Sequence, residues 1–150
     1  MFHLSLLTLV LALTQLLAVL CAPIGFQTSL RGKVSPECNA NQLLLQNDLA
    51  SAQQSMDIVS QAVDTPEVQT VQLGITSAMQ GLAQLARSSR IGLALDPDLS
   101  SYMMSNATLA RTALDTITGV PDVVTAAELT AASYSLIDAI QNAGAVANTC

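Results

Sequence analysis

Four times along this chain, apolar residues return every three or four positions, and that period limits the fold more than any other feature. Leu45, Leu49, Ala52, Met56, Val59 and Val63 make the first stripe, and Val68, Val71, Ile75, Ala78, Leu82 and Leu85 make the second. The third is Leu99, Met103, Ala110, Ala113 and Ile117, flanked by Leu109 and Leu114. The fourth is Ala126, Leu129, Leu136, Ile140, Ala143 and Ala147, with Tyr134 and Ile137 widening the face. Spacing of this kind lines one side of an α-helix, and the intervening Ser, Thr, Gln and Ala residues supply the other side. No period-two run bounded by turn signals competes with it, so the chain reads as all-α.

The joints carry helix-start and helix-stop chemistry. In "VDTPEV" Thr65 is placed to cap the free amides of a helix while Pro66 occupies its first turn, and "LDPDLS" repeats the device with Asp96 and Pro97. In "TGVPDVV" Gly119 ends one helix, and Pro121 sits at or just before the start of the next. Each helix has an apolar face for antiparallel neighbours to bury, which predicts an up-and-down bundle. The stretch "LARSSRIGLALD" breaks the second stripe. Either that helix ends near Ser89 or it continues with a bend, and a short fifth helix over Ile91 to Leu95 is the variant of the four-helix prediction.

Ahead of the stripes, Leu4 to Leu20 is apolar except for Ser5, Thr8, Thr14 and Gln15, and Cys21 and Ala22 follow. This reads as a secretory leader over residues 1–21 cut after Cys21. Its rival is an uncleaved anchor, for which the run lies at the lower edge of what spans a hydrocarbon core of about 30 Å. Residues 22–38, with Pro23, Gly25, Gly32 and Pro36, read as an irregular arm, and 39–150 as the helical domain.

Cys38 and Cys150 then remain, an even pair in an oxidising compartment, and an intramolecular disulfide is the leading expectation, with pairing between chains as the alternative. An even number of similar helices returns the chain to the end where it began, which lets the two cysteines meet.

Charge and composition narrow the function. Five basic residues against eleven acidic ones give a net charge of -6, and all of them follow the leader. Such a surface repels phosphate, so nucleic acid is not an expected partner, and Arg31 with Lys33 makes only a small local patch. No segment after the leader has 18 consecutive apolar residues, so stable membrane insertion is not expected either. The only histidine, His3, lies in the leader, which leaves no imidazole for general-base or metal chemistry and no Ser-His or Cys-His relay. There is no zinc-ligand spacing, EF-hand loop or phosphate-binding glycine loop, and no cofactor is expected. Paired carboxylates remain: Asp96 with Asp98, and Asp57, Asp64 and Glu67. Their positions suit helix-terminal charges better than an acid/base pair. The chain is therefore not expected to be an enzyme.

Three features bear on binding. "NAT" at Asn106 to Thr108 is a glycosylation sequon, yet the wheel sets Asn106 near the middle of the third apolar face; the competing expectation is a polar residue in the seam, bonded to a partner helix. Aromatics are sparse. Only Phe26, Tyr102 and Tyr134 follow the leader, which favours tight packing of small residues over a roomy pocket, although Met56, Met79, Met103 and Met104 would suit an adaptable apolar lining. Arg87 and Arg90 stand beside Ile91, Leu93 and Leu95, a pairing able to hold a carboxylate headgroup or an acidic partner; the plainer use of the same residues is to cap a helix and fill the end of the bundle. The expected function is a non-catalytic extracellular protein that acts by surface interaction or self-association, with a protein partner or itself. The alternative is a secreted carrier of a small hydrophobic or lipid ligand.

Overall fold

The computed structural model describes residues 34–91 and 96–150. Four helices are present: α1 over Pro36–Ala62, α2 over Pro66–Arg90, α3 over Pro97–Leu114 and α4 over Val123–Thr149, with no strand among the described residues. The chain is all-helical. The leader, residues 22–33 of the arm, and the proposed fifth helix apart from Ile91 lie outside the described residues.

Each helix begins on a side-chain cap. Ser35, Thr65, Asp96 and Asp122 hold extended backbone and accept from amides of the first turn, and Pro occupies the first turn of α1, α2 and α3. The sequence predicts two of these caps. It misses Ser35, because α1 starts at Pro36, inside the stretch read as irregular arm; "SPE" is the same cap-and-proline device as "TPE". α2 runs through the serines to Arg90, and its last turn carries Arg87 and Arg90.

The core is one cluster. All six residues of each of the first two stripes are buried in it. Burial of a Leu, Val, Ile or Met side chain contributes about 1.5–3 kcal/mol each, so these two faces supply much of the drive to fold. α1 lies against α2 and α4, and α3 lies against α2 and α4. α1 and α4 run antiparallel: Cys38 meets Cys150, Asn41 meets Thr149, and Asp48 meets Asn142. α2 and α3 also run antiparallel, since Gly74 faces Ala110 and Gly81 faces Met103.

These two glycines set the distance between α2 and α3. A Cβ on Gly74 would stand 2.8 Å from the Asn106 carbonyl oxygen and 2.9 Å from the Ala110 Cβ, and one on Gly81 would stand 2.7 Å from the Met103 Cγ. Backbone therefore lies on backbone at Gly74, with Ala78, Ala107 and Ala110 filling the seam.

The third and fourth stripes require correction. On α3 the buried residues are Met103, Ala107, Ala110 and Leu114; Leu99, Ala113 and Ile117 are only half-buried and Leu109 is exposed. The helix ends at Leu114, and Ile117 follows in a turn held by amides bonding back to Ala113 and Leu114. On α4 the buried face is Thr125, Ala132, Leu136, Ala139, Ala143 and Val146, while Ala126, Ala147, Tyr134 and Ile137 face outward. The cause is alanine. It occurs on every side of α4 and along one flank of α3, at Ala107, Ala110 and Ala113, so hydrophobicity alone does not fix their rotation. The faces that win are those whose small side chains let a neighbour come close.

Candidate interaction surface

At the junction of α1 and α4 the start of the first helix meets the end of the last. The sulfurs of Cys38 and Cys150 stand at disulfide-bonding distance, with their Cα atoms 5.0 Å apart across a sequence separation of 112. Polar groups surround the pair. The Cys38 amide donates to the Ser35 hydroxyl at 3.0 Å, which in turn donates to the Thr149 carbonyl at 3.2 Å. Asn41 Nδ2 donates to Thr149 Oγ1 at 3.1 Å, and Gln42 Nε2 donates to Cys38 Sγ at 3.1 Å. Further along, Asn142 Nδ2 donates to Asp48 Oδ2 at 2.7 Å. None of these polar partners was legible in the sequence, because single Ser, Asn and Gln residues carry no pattern.

α4 has a second stripe that faces away from the core. Val123, Ala127, Thr130, Tyr134, Ile137 and Gln141 recur at alternating intervals of four and three, and all six are exposed. None carries a charge. Val123 is 86% exposed and Tyr134 66%, high values for side chains of that size. Only 22% of the most apolar 18-residue window of α4 is buried, so most of its apolar composition is presented outward. By length and composition alone, α4 is also apolar enough to cross a membrane. A solvated helix face is ordinarily charged; here Glu128 lies on another face of the helix, and the exposed Asp138, one turn beyond Tyr134, borders the stripe as its one carboxylate. Leu43, Leu44 and Ile58 of α1 add exposed apolar surface.

The segment singled out around Arg87 is only partly placed. Arg87, Arg90 and Ile91 are exposed at the C-terminal end of α2, where cations complement the helix dipole. Ile91 is 69% exposed. Leu93 and Leu95 lie outside the described residues.

Asn106 does not bond to a partner helix. It is half-buried, and its Nδ2 donates to the Tyr102 carbonyl of its own helix at 2.8 Å; Ala107, its neighbour, takes the buried position. Thr108, the third residue of the sequon, is exposed and bonds back to the Met104 carbonyl.

The carboxylates resolve into structural duties. Asp96 accepts from the Asp98 amide at 3.0 Å, Asp57 lies near the end of α1 and accepts from Gln53, and Asp64 accepts from Gln69. Asp122 holds both the amide and the hydroxyl of Thr125, each at 2.9 Å, and the amide above all keeps its carboxyl below the usual range. Glu67 is likewise held low, first by its own backbone amide and then by the Thr65 hydroxyl. Arg111 pairs with Asp115 one turn on. No group of three or more His, Cys, Asp or Glu side chains that could hold a metal ion occurs among the described residues. Met56 and Met103 are buried in the core, whereas Met79 and Met104 lie partly exposed on the surface. No protein-family model, curated protein or solved structure matches this chain.

Proposed function

We propose that the chain is a secreted, non-catalytic protein that acts by apolar contact through the outer face of α4, by self-association in the first instance. The supporting observation is the uncharged stripe Val123, Ala127, Thr130, Tyr134, Ile137 and Gln141, exposed along a helix whose core-facing side is already occupied. Its four-three spacing is the one by which a helix engages another helix, and the six residues of the stripe carry no charge, with Asp138 at its border. Exposed apolar area of this kind marks interaction surfaces more often than inert ones. In this reading the helices form an up-and-down bundle whose leader, residues 1–21, is removed after Cys21. The cysteine pair at bonding distance fits an oxidising compartment.

Association suits α4 better than insertion into a bilayer. A carboxylate such as Glu128 or Asp138 at the middle of a spanning helix costs about 2.5–3.5 kcal/mol, and α4 would have to give up its contacts with α1 and α3. Sedimentation velocity of the secreted protein over a wide concentration range tests the proposal. The wild type is expected to associate with rising concentration, and Y134K/I137K to stay monomeric with an unchanged thermal midpoint. A wild type that is monomeric throughout contradicts self-association, and a monomer that retains a lipid after purification supports the carrier alternative instead.

A further inference from the structure

The two sulfurs at the α1/α4 junction are not equivalent. Cys38 is fully buried, at 0% exposure, while Cys150 at the end of α4 is exposed. Displacement at a disulfide needs the incoming thiolate in line behind the sulfur it attacks, opposite the one that leaves. Cys38 lies buried within the first turn of α1, whereas Cys150 is open to solvent at the end of α4. Access therefore directs attack to Cys150.

The leaving side is prepared as well. Cys38 is the third residue of α1, in the first turn, where unpaired backbone amides and the helix dipole favour a negative sulfur. Gln42 Nε2, one turn on, donates to Cys38 Sγ at 3.1 Å and lies farther from Cys150 Sγ, at 3.6 Å. The sulfur with the closer hydrogen-bond donor and the helix N-terminus beside it is the one that departs.

We infer that Cys150 is a site of mixed-disulfide formation with an external low-molecular-weight thiol, and that the exchange releases Cys38. The thiolate sulfur of the external thiol forms a bond to Cys150 Sγ, and the Cys38–Cys150 bond breaks with its electron pair passing to Cys38 Sγ as thiolate. One disulfide and one thiolate enter and one of each leave, so no separate oxidant or reductant is needed. The helices stay docked in the product, because Ser35, Asn41 and Asp48 still bond to α4 and the apolar seam of α1 is intact.

The test uses the oxidised protein and 2-mercaptoethanol, a neutral thiol. Samples are quenched in acid early in the exchange, alkylated at free thiols, and cut by trypsin after Lys33, Arg87 and Arg111, which puts the two cysteines on separate peptides, 34–87 and 112–150. The adduct is expected on the peptide holding Cys150 and the alkyl group on Cys38, in an excess of about tenfold. The same exchange in strong guanidinium should bring the ratio close to one, since the asymmetry belongs to the fold. Q42L should slow the native exchange severalfold and leave the site unchanged. A native ratio near one, an adduct mainly on Cys38, or a protein that holds no Cys38–Cys150 bond overturns the proposal, and an unaltered rate for Q42L overturns its leaving-group half.

Discussion

One substitution, glycine to alanine, should move stability in opposite directions at two helical positions, and the sign follows from what a methyl group would meet. In a helix interior alanine is favoured over glycine by about 1 kcal/mol, so without steric conflict G144A and G74A would both stabilise. At Gly144 there is no conflict: nothing lies within 4 Å of the added Cβ. At Gly74 the Cβ would stand 2.8 Å from the Asn106 carbonyl oxygen, 2.9 Å from the Ala110 Cβ and 3.1 Å from the Ala110 nitrogen. Two of these three are backbone atoms of α3, so relief requires moving a helix and not a rotamer. Overpacking of that kind costs about 1–3 kcal/mol, and against the backbone the upper half of the range applies, which leaves G74A destabilised by about 1–2 kcal/mol net. A domain of this size shifts its midpoint by about 4 °C per kcal/mol. Thermal melts followed by circular dichroism should thus place G144A about 2–4 °C above wild type and G74A about 4–8 °C below it. A G74A midpoint at or above wild type would refute the close approach of α2 and α3.

Reducing the disulfide should lower stability by up to about 4–5 kcal/mol, the chain-entropy value for a loop on the order of 100 residues, while far-UV circular dichroism at 25 °C stays helical; collapse of the helical signal would show that the apolar core does not hold without the bond. D122N should flatten the acid limb of the stability–pH curve. The folded pKa of Asp122 lies below its unfolded value of 3.8, so its contribution is complete above that value and is lost as pH falls through the folded pKa; identical acid limbs for D122N and wild type would show that the ionisation of Asp122 contributes nothing. N106A should leave stability within about 0.5 kcal/mol of wild type, because the bond it removes lies within α3 and alanine is the better helix former. A loss above about 1.5 kcal/mol would restore a seam role for Asn106, and intact mass of the same pair reports any glycan at that position.

The legible part of the fold was the part with large side chains in phase. In α1 and α2, Leu, Met, Ile and Val at three- and four-residue spacing have no alternative face, and every residue assigned to the core is buried there. In α3 and α4 the same reasoning chose a neighbouring rotation, because alanine surrounds α4 and lines one flank of α3, and burial went to the side that lets another helix approach. Asn106 and Ala107 exchanged roles for that reason. Gly74 and Gly81 went unread: a helical glycine signals only a cost until the partner backbone is seen against it. The disulfide partners were legible by elimination, but Ser35, Asn41, Gln42 and Thr149 around them were not. The outward stripe of α4 was half seen, since Tyr134 and Ile137 stood out as apolar and were assigned to the wrong side of the helix.

Tyr134 and Tyr102, the only two tyrosines, make the outer face of α4 directly measurable. Tyr134 lies in the proposed contact stripe at 66% exposure, and Tyr102 lies on α3 at 45%, outside it. Brief nitration of the secreted protein at increasing concentration, with the modified residues mapped by mass spectrometry, reads both rings in one sample. If α4 carries the contact, Tyr134 becomes protected as concentration rises while Tyr102 reacts at a constant rate. Constant reactivity of Tyr134 across the range, or protection of Tyr102 alone, contradicts the account.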